Sequence, residues 1–354
     1  VRAALRAHPE CRIISVSQND WDNHCECENC ARLDAQEGSS AGTLINFVNN
    51  IAEAIEEEFP EVIVDTLAYQ YTRPATSHLR PRHNVCVRLC SIEACFAHSF
   101  EDCDDKSRWV KRPDGTTSNF IHDLEDWGKV CDRMYIWDYT TCFAHYPAPH
   151  PNWHVLQPNM QAFIKNGVKG VFEQACGAIG GSVDLNEMRA YVISKLLWDA
   201  NTDVERHIRE FSDFYYGAAA PYIREYIKVH TDKVVKDNIH VGFNDQCDRP
   251  DLSDEMLDIY DAILAKAAKA VEGDPIRAMR VNKAQLATRW VRMKNNAMHN
   301  PDEINQFFED WRAHGLTRID EWVSAETTHR ALIENVWRGT EYYHHWTEEG
   351  PERL

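Results

Sequence analysis

The run Val85-Cys86-Val87-Arg88-Leu89-Cys90-Ser91-Ile92-Glu93 decides how the chain is read. After Asn84, β-branched and apolar residues dominate as in a buried strand, and a carboxylate arrives where the apolar run stops. A βα barrel presents a catalytic acid in this way, from the C-terminal end of a strand. Four other segments, at residues 12–20, 62–71, 133–139 and 167–174, rise through apolar residues and end in polar or aromatic ones. The expectation is a set of strands aimed at one site.

Composition narrows what that site can do. The 354 residues carry a formal charge of -18, which disfavours nucleic acid, because phosphate binding needs concentrated Lys and Arg. No apolar run approaches the ~18 residues of a membrane span, so no span is expected. Eleven Trp residues suit carbohydrate, whose C–H faces stack on indole while hydroxyls bond to carboxylates and amides. Residues 1–8 read as the end of an amphipathic helix that runs into a strand. The first strands of a barrel are therefore expected to lie outside this chain.

Between the strands the pattern is helical. Leu44, Phe47, Val48, Ile51 and Ile55 recur at helix spacing, with Thr43 as the expected cap and Pro60 as the stop. Further helices are read at residues 120–131 and 157–165, and Asp184 is expected to cap another. Residues 100–119 read as an irregular acidic loop, residues 143–153 as an aromatic wall, and residues 177–181 as a glycine-rich turn without the Lys of a phosphate loop. From residue 203 onward only amphipathic helices are found, at 204–216, 221–236, 254–271, 276–298 and 301–313. The domain reading is thus a barrel part at 1–202 and a helical part at 203–354.

Cys25, Cys27 and Cys30 fall within six positions. Thiolates on such a knuckle converge on one tetrahedral ion at Zn–S distances of about 2.3 Å. A structural zinc, a disulfide arrangement and three thiols all remain open on the sequence. A fourth ligand would come from His24, Cys95, His98 or Cys103. No cofactor is expected for catalysis.

Five strands separated by helices fit a TIM-type (β/α)8 barrel that lacks its first strands here, with an open doubly wound sheet as the rival. In a barrel the strand ends would gather Asn19, Asp20, Tyr69, Tyr71, Glu93, Trp137, Asp138, Tyr139, Glu173 and Gln174. Carboxylates, amides and aromatics without a nucleotide motif describe a glycoside hydrolase: one carboxyl group donates to the leaving oxygen, and a second acts as base, nucleophile or orienter. Glu93 is the expected acid/base, and Asp138 or Asp20 the orienter of a participating acetamide. A carbohydrate-binding or scaffold protein with the same cleft is the rival class, and a metalloenzyme centred on the three cysteines a third. Oligomeric state is left open.

Several of these stretches resemble a known family. Ser17-Gln18-Asn19-Asp20, Cys25-x-Cys27-x-x-Cys30, Thr66-Leu67-Ala68-Tyr69, the run from Val87 to Glu93, Ile136-Trp137-Asp138-Tyr139, Gly170-Val171-Phe172-Glu173-Gln174 and Lys195-Leu196-Leu197-Trp198 are similar to the DUF4838 domain, which is linked to glycoside hydrolase family 163. The similarity runs over residues 13–217 in order. It implies a TIM-barrel hydrolase of the endo-β-N-acetylglucosaminidase kind, acting on complex N-glycans, in a secreted, periplasmic or cell-envelope bacterial setting. The family tends to have Gly where Ala175 stands, and residues 106–117 look like an insertion.

Overall fold

The computed structural model describes residues 1–21, 23–176, 182–295 and 300–334. The turn read at 177–181 and the end of the helix read to 298 lie outside the described residues. The chain divides into two compact units. One comprises Val1–Thr140, His154–Gln174 and Asp199–Asn201; the other comprises Thr141–Trp153, Ala175–Trp198 and the described residues from Thr202 onward.

The first unit alternates strands and helices. Its elements are α1 (Arg2–Ala7), β1 (Ile13–Ser15), α2 (Glu28–Glu37), α3 (Ala41–Glu56), β2 (Ile63–Ala68), β3 (Val85–Cys90), the short pair β4 (Val110–Lys111) and β5 (Thr117–Ser118), α4 (Phe120–Val130), β6 (Met134–Tyr139), α5 (Leu156–Lys165) and β7 (Gly170–Gln174). Five strands form one parallel sheet in the order β1-β2-β3-β6-β7. This order follows the chain without reversal, and right-handed crossovers then place every connecting helix on the same face. A doubly wound sheet needs a reversal of order at a switch point, and the described strands show none. What stands is a mixed α/β unit with the wall of half a barrel. Eight-stranded closure is not seen among the described residues, where β1 and β7 are the sheet edges and Ile13 and Phe172 are 44% and 45% exposed.

The core between sheet and helices explains α3. Val48, Ala52 and Ile55 lie one turn apart and pack with Leu5 against Val62, Val64 and Val85. The helix starts two residues before the expected cap, Thr43. A buried Asp34 carboxylate reaches over from α2 to accept from the Thr43 N–H at 2.8 Å, and Ser39 Oγ accepts from Ala41 N at 3.0 Å. Helix α2 itself is too polar to show periodicity, and Gly38 ends it at φ +64°. The acidic loop at 100–119 contains the β4–β5 hairpin, which the sequence did not show.

The second unit is helical. It contains α6 (Asn186–Trp198), α7 (Val204–Tyr216), α8 (Ala220–Lys236), α9 (Asp254–Ala270), α10 (Pro275–Asn295), α11 (Pro301–Ala313) and α12 (Ala325–Ile333). Two readings are corrected here. Asp184 is no simple cap: its carboxylate accepts from His150 N and from Arg189 Nη2, at 2.9 and 2.7 Å. The expected aromatic wall is interior, because Phe143 and Tyr146 are each 1% exposed and Phe143 stacks on Phe243 at 4.4 Å. No described helix is long and apolar enough to cross a membrane.

Candidate active site

Side chains alternate across a strand, so register decides which residues share a face. Ile14, Val64 and Val85 are matched across β1, β2 and β3 and belong to the core under α3. Extending that row places Leu89, Ile136 and Val171 on the helix-covered face, and the next residues along, Asp138 and Glu173, face each other there. Cys90, Trp137 and Phe172 occupy the opposite, open face. The single pocket expected from sequence is therefore divided. Tyr69, Trp137, Tyr139 and Gln174 point to the open face, while Asp138 and Glu173 do not join them.

On the open face the charges of two carboxylates, Asp20 and Glu93, act on one phenol, Tyr69. Tyr69 extends β2, and its hydroxyl hydrogen-bonds the Asp20 carboxylate from the loop after β1. Burial, then the charges of Asp20, Glu93 and Cys90, pushes the Tyr69 phenol far up, so it stays a hydroxyl. Tyr139 is buried beside the same groups and is raised by burial first, then by Cys90, Tyr69 and Glu93. The backbone of Tyr69 is fixed by Gln18 Nε2, which donates to its carbonyl at 3.2 Å, and by Thr72 Oγ1, which accepts from its N–H at 3.1 Å.

Glu93 follows the end of β3 and is half-buried. Its Oε2 accepts from Arg73 Nη1 at 2.9 Å. Arg73 is fully buried and also donates to Asp123 Oδ2 and to the Ser118 carbonyl, each at 2.8 Å. Sequence reasoning missed Arg73, since nothing in Thr72-Arg73-Pro74 announces a buried cation. It also missed Gln70, a non-glycine residue at φ +51° next to Tyr69. The buried Oε1 of Gln70 has no hydrogen-bond partner among the described residues. Strain beside an unsatisfied amide is a frequent mark of a binding position.

Trp137 supplies an aromatic platform. Its Nε1 donates to Gln174 Oε1 at 2.6 Å, and its ring meets Phe172 edge-on at 5.1 Å. Asn19 and Tyr71 line a cavity of about 260 Å³ with Gln18, Asn23 and His24, where His24 stacks on Tyr71 at 4.7 Å; Asp20, Tyr69, Glu93 and Trp137 are not among its lining residues.

On the covered face Ser91 Oγ donates to Asp138 Oδ1. Burial pushes Asp138 up to about 6, partly opposed by Ser91 and the Tyr139 N–H. Glu173 is raised well above the carboxylate range by burial and by the charge of Asp138, and its Oε2 is buried without a hydrogen-bond partner among the described residues. Two such groups titrate as a pair. Between pH about 4 and about 6 the folded state holds more protons than the unfolded one, so stability falls as pH rises through that window. Asp138→Asn keeps an acceptor for Ser91 and is expected to remove a fall on the order of 2 kcal/mol. Urea midpoints at pH 4, 5, 6 and 7 would check this; an unchanged slope in the variant would refute it.

Cys25, Cys27 and Cys30 converge, with their sulfurs all within 4.8 Å of one another. Cys27 is lowered to about 7, first by the backbone N–H of Cys30 and then by the thiols of Cys25 and Cys30, whereas Cys30 is pushed up to about 11, first by the thiols of Cys27 and Cys25. Of the expected fourth ligands, Cys95 and Cys103 lie close to each other and apart from this group, His98 Nδ1 contacts Cys95 Sγ at 3.3 Å, and His24 is stacked on Tyr71.

The family model described as "Domain of unknown function (DUF4838)" matches residues 1–228. No curated protein matches the chain. Among solved structures, a "GH138 enzyme targeting pectin rhamnogalacturonan II" shares 11% identity at a TM-score of 0.38, over 79% of this chain and 46% of that one. The chain thus spans less than half the length of that enzyme, and at this score neither fold nor chemistry carries over.

Proposed function

We propose that this chain, which belongs to the DUF4838 family, is a glycoside hydrolase that cleaves β-linked N-acetylglucosamine within complex glycans, as the resemblance to glycoside hydrolase family 163 implies. The observation that carries the reading is that Asp20, from the loop after one strand, hydrogen-bonds the half-buried hydroxyl of Tyr69, on which the charge of Glu93, from another strand end, also acts. Glycosidic cleavage needs two such groups with distinct partners. In this reading Glu93 is the carboxyl group that exchanges a proton with the glycosidic oxygen, and Arg73 fixes it through one oxygen only. Asp20, held by Tyr69, orients the 2-acetamido group whose carbonyl oxygen attacks C1. Asp20 takes this role in preference to Asp138 because Asp138 is buried on the other face.

Trp137, braced by Gln174, offers a ring to the sugar C–H face, and the buried Tyr139 hydroxyl lies within the electrostatic reach of Glu93. Asn19 and Tyr71 would contact a neighbouring sugar from the adjoining cavity. The same proposal includes a TIM-type barrel, a catalytic part at 1–202 with a helical part at 203–354, and a secreted or cell-envelope setting.

The ion pair between Glu93 and a buried guanidinium favours one other reading, a carbohydrate-binding protein without turnover, because a carboxylate so held is first of all an acceptor. Incubating the full chain with a complex N-glycoprotein and weighing both products separates the two. Release that leaves one N-acetylglucosamine on Asn supports the hydrolase. Glycan binding by calorimetry without release would sink it and support the binding protein.

A further inference from the structure

We propose that Cys25, Cys27 and Cys30 together bind one thiophilic divalent cation of the zinc class, which anchors the loop that carries Asp20. The three sulfurs come from the end of that loop and the first turn of α2, and they already lie within 4.8 Å of one another. Tetrahedral Zn–S bonds of about 2.3 Å place sulfurs about 3.8 Å apart, so only a small contraction closes them on an ion. A disulfide uses two thiols and strands the third beside it, whereas a cation takes all three. On binding, each sulfur loses its proton to solvent and the fourth position is left to water.

The site has a mechanical reason to exist. Residues 16–27 follow a strand of only three residues, and Trp21 N to Asn19 O, at 2.9 Å, is the backbone hydrogen bond that closes within this stretch among the described residues. One end of the loop is fastened by Gln18, whose side chain meets Tyr69 and Thr72. Toward the other end His24 stacks on Tyr71, and the cysteines join the loop to α2. Cys30 belongs to a helix tied to α3, because its carbonyl accepts from Thr43 Oγ1 at 3.4 Å and Asp34 accepts from the Thr43 N–H. An ion on the three thiolates would extend that rigid base into the loop, holding Asn19 and Asp20 between two anchors. The site is independent of the glycosidase reading.

The test uses the full chain produced with zinc in the medium. Elemental analysis is expected to find about one zinc per chain more than in the Cys27→Ser/Cys30→Ser variant, and Cys95→Ser is expected to keep that zinc. In the wild type, peptide mapping after iodoacetamide should find Cys25, Cys27 and Cys30 protected, with at least tenfold faster alkylation after chelation. Chelation should also speed hydrogen exchange in residues 19–29 while β2 and β3 stay unchanged. Equal zinc in wild type and double variant, immediate alkylation of all three thiols in the zinc-supplied wild type, or a peptide mass lower by the two hydrogens of a disulfide would each overturn the proposal. The protection measurement needs no variant, so it stands even where the double variant fails to fold.

Discussion

Glu93→Gln is expected to lower kcat on a complex N-glycan by about 10² to 10⁴-fold, the usual contribution of a positioned proton-transfer group. Gln keeps an oxygen that can accept from Arg73 Nη1, so the geometry at 2.9 Å can persist while the proton-exchanging function is lost. Folding should change little, because Arg73 retains Asp123 and the Ser118 carbonyl. The measurement is initial rate against substrate concentration, with the urea midpoint as a control. KM should move far less than kcat, since the proposed sugar platform is Trp137 and not Glu93. Full activity in the variant would remove Glu93 from the chemistry. A large loss of stability would instead make it a structural partner of Arg73.

Arg73→Met should cost about 3–5 kcal/mol of stability, the range for breaking a buried ion pair by removing one partner. Arg73 and Asp123 are both 0% exposed by side chain, and the guanidinium serves three acceptors at once. Without it Asp123, already pushed upward by burial and held down chiefly by Arg73, takes up a proton or drags water inward. Adding Asp123→Asn should therefore recover part of the loss, and denaturant midpoints around the double-mutant cycle would show that coupling. Additive losses would mean that the two residues act separately. The contrast within this chain is Arg6 with Glu58 at 2.7 Å: that pair is on the surface and screened by solvent, so Arg6→Met should leave the denaturant midpoint nearly unchanged. Because Arg73 also holds Glu93, its removal should depress turnover as well, so rates must be compared where the variant is fully folded.

The open-face cluster was partly legible. Glu93, Tyr69 and Asp20 could be named because each stands where an apolar run ends, and strand ends of a parallel sheet share one side. Arg73 could not. Its significance arises from three acceptors that lie 20, 45 and 50 positions away. The capping of α3 was misread for a similar reason: Asp34 and Ser39, not the local Thr43, satisfy its first turn. Residues 143–153 look like a stacking wall by composition, yet burial in the second unit makes them core, and composition is blind to which side is covered.

By itself the sequence determined the alternation of strand and helix, the helical character beyond residue 203, the cysteine knuckle and the places where strands end, because hydrophobic period and punctuation are local properties. Only the tertiary structure decided the sheet order and the face each residue takes. β7 runs over Gly170–Gln174, so Glu173 and Gln174, which the sequence reading gathered into one pocket, are strand residues on opposite faces. The side-chain period of a strand is two, and register comes from pairing with β6. One position along the chain therefore moves a carboxylate from the open cleft to a buried layer beneath helices.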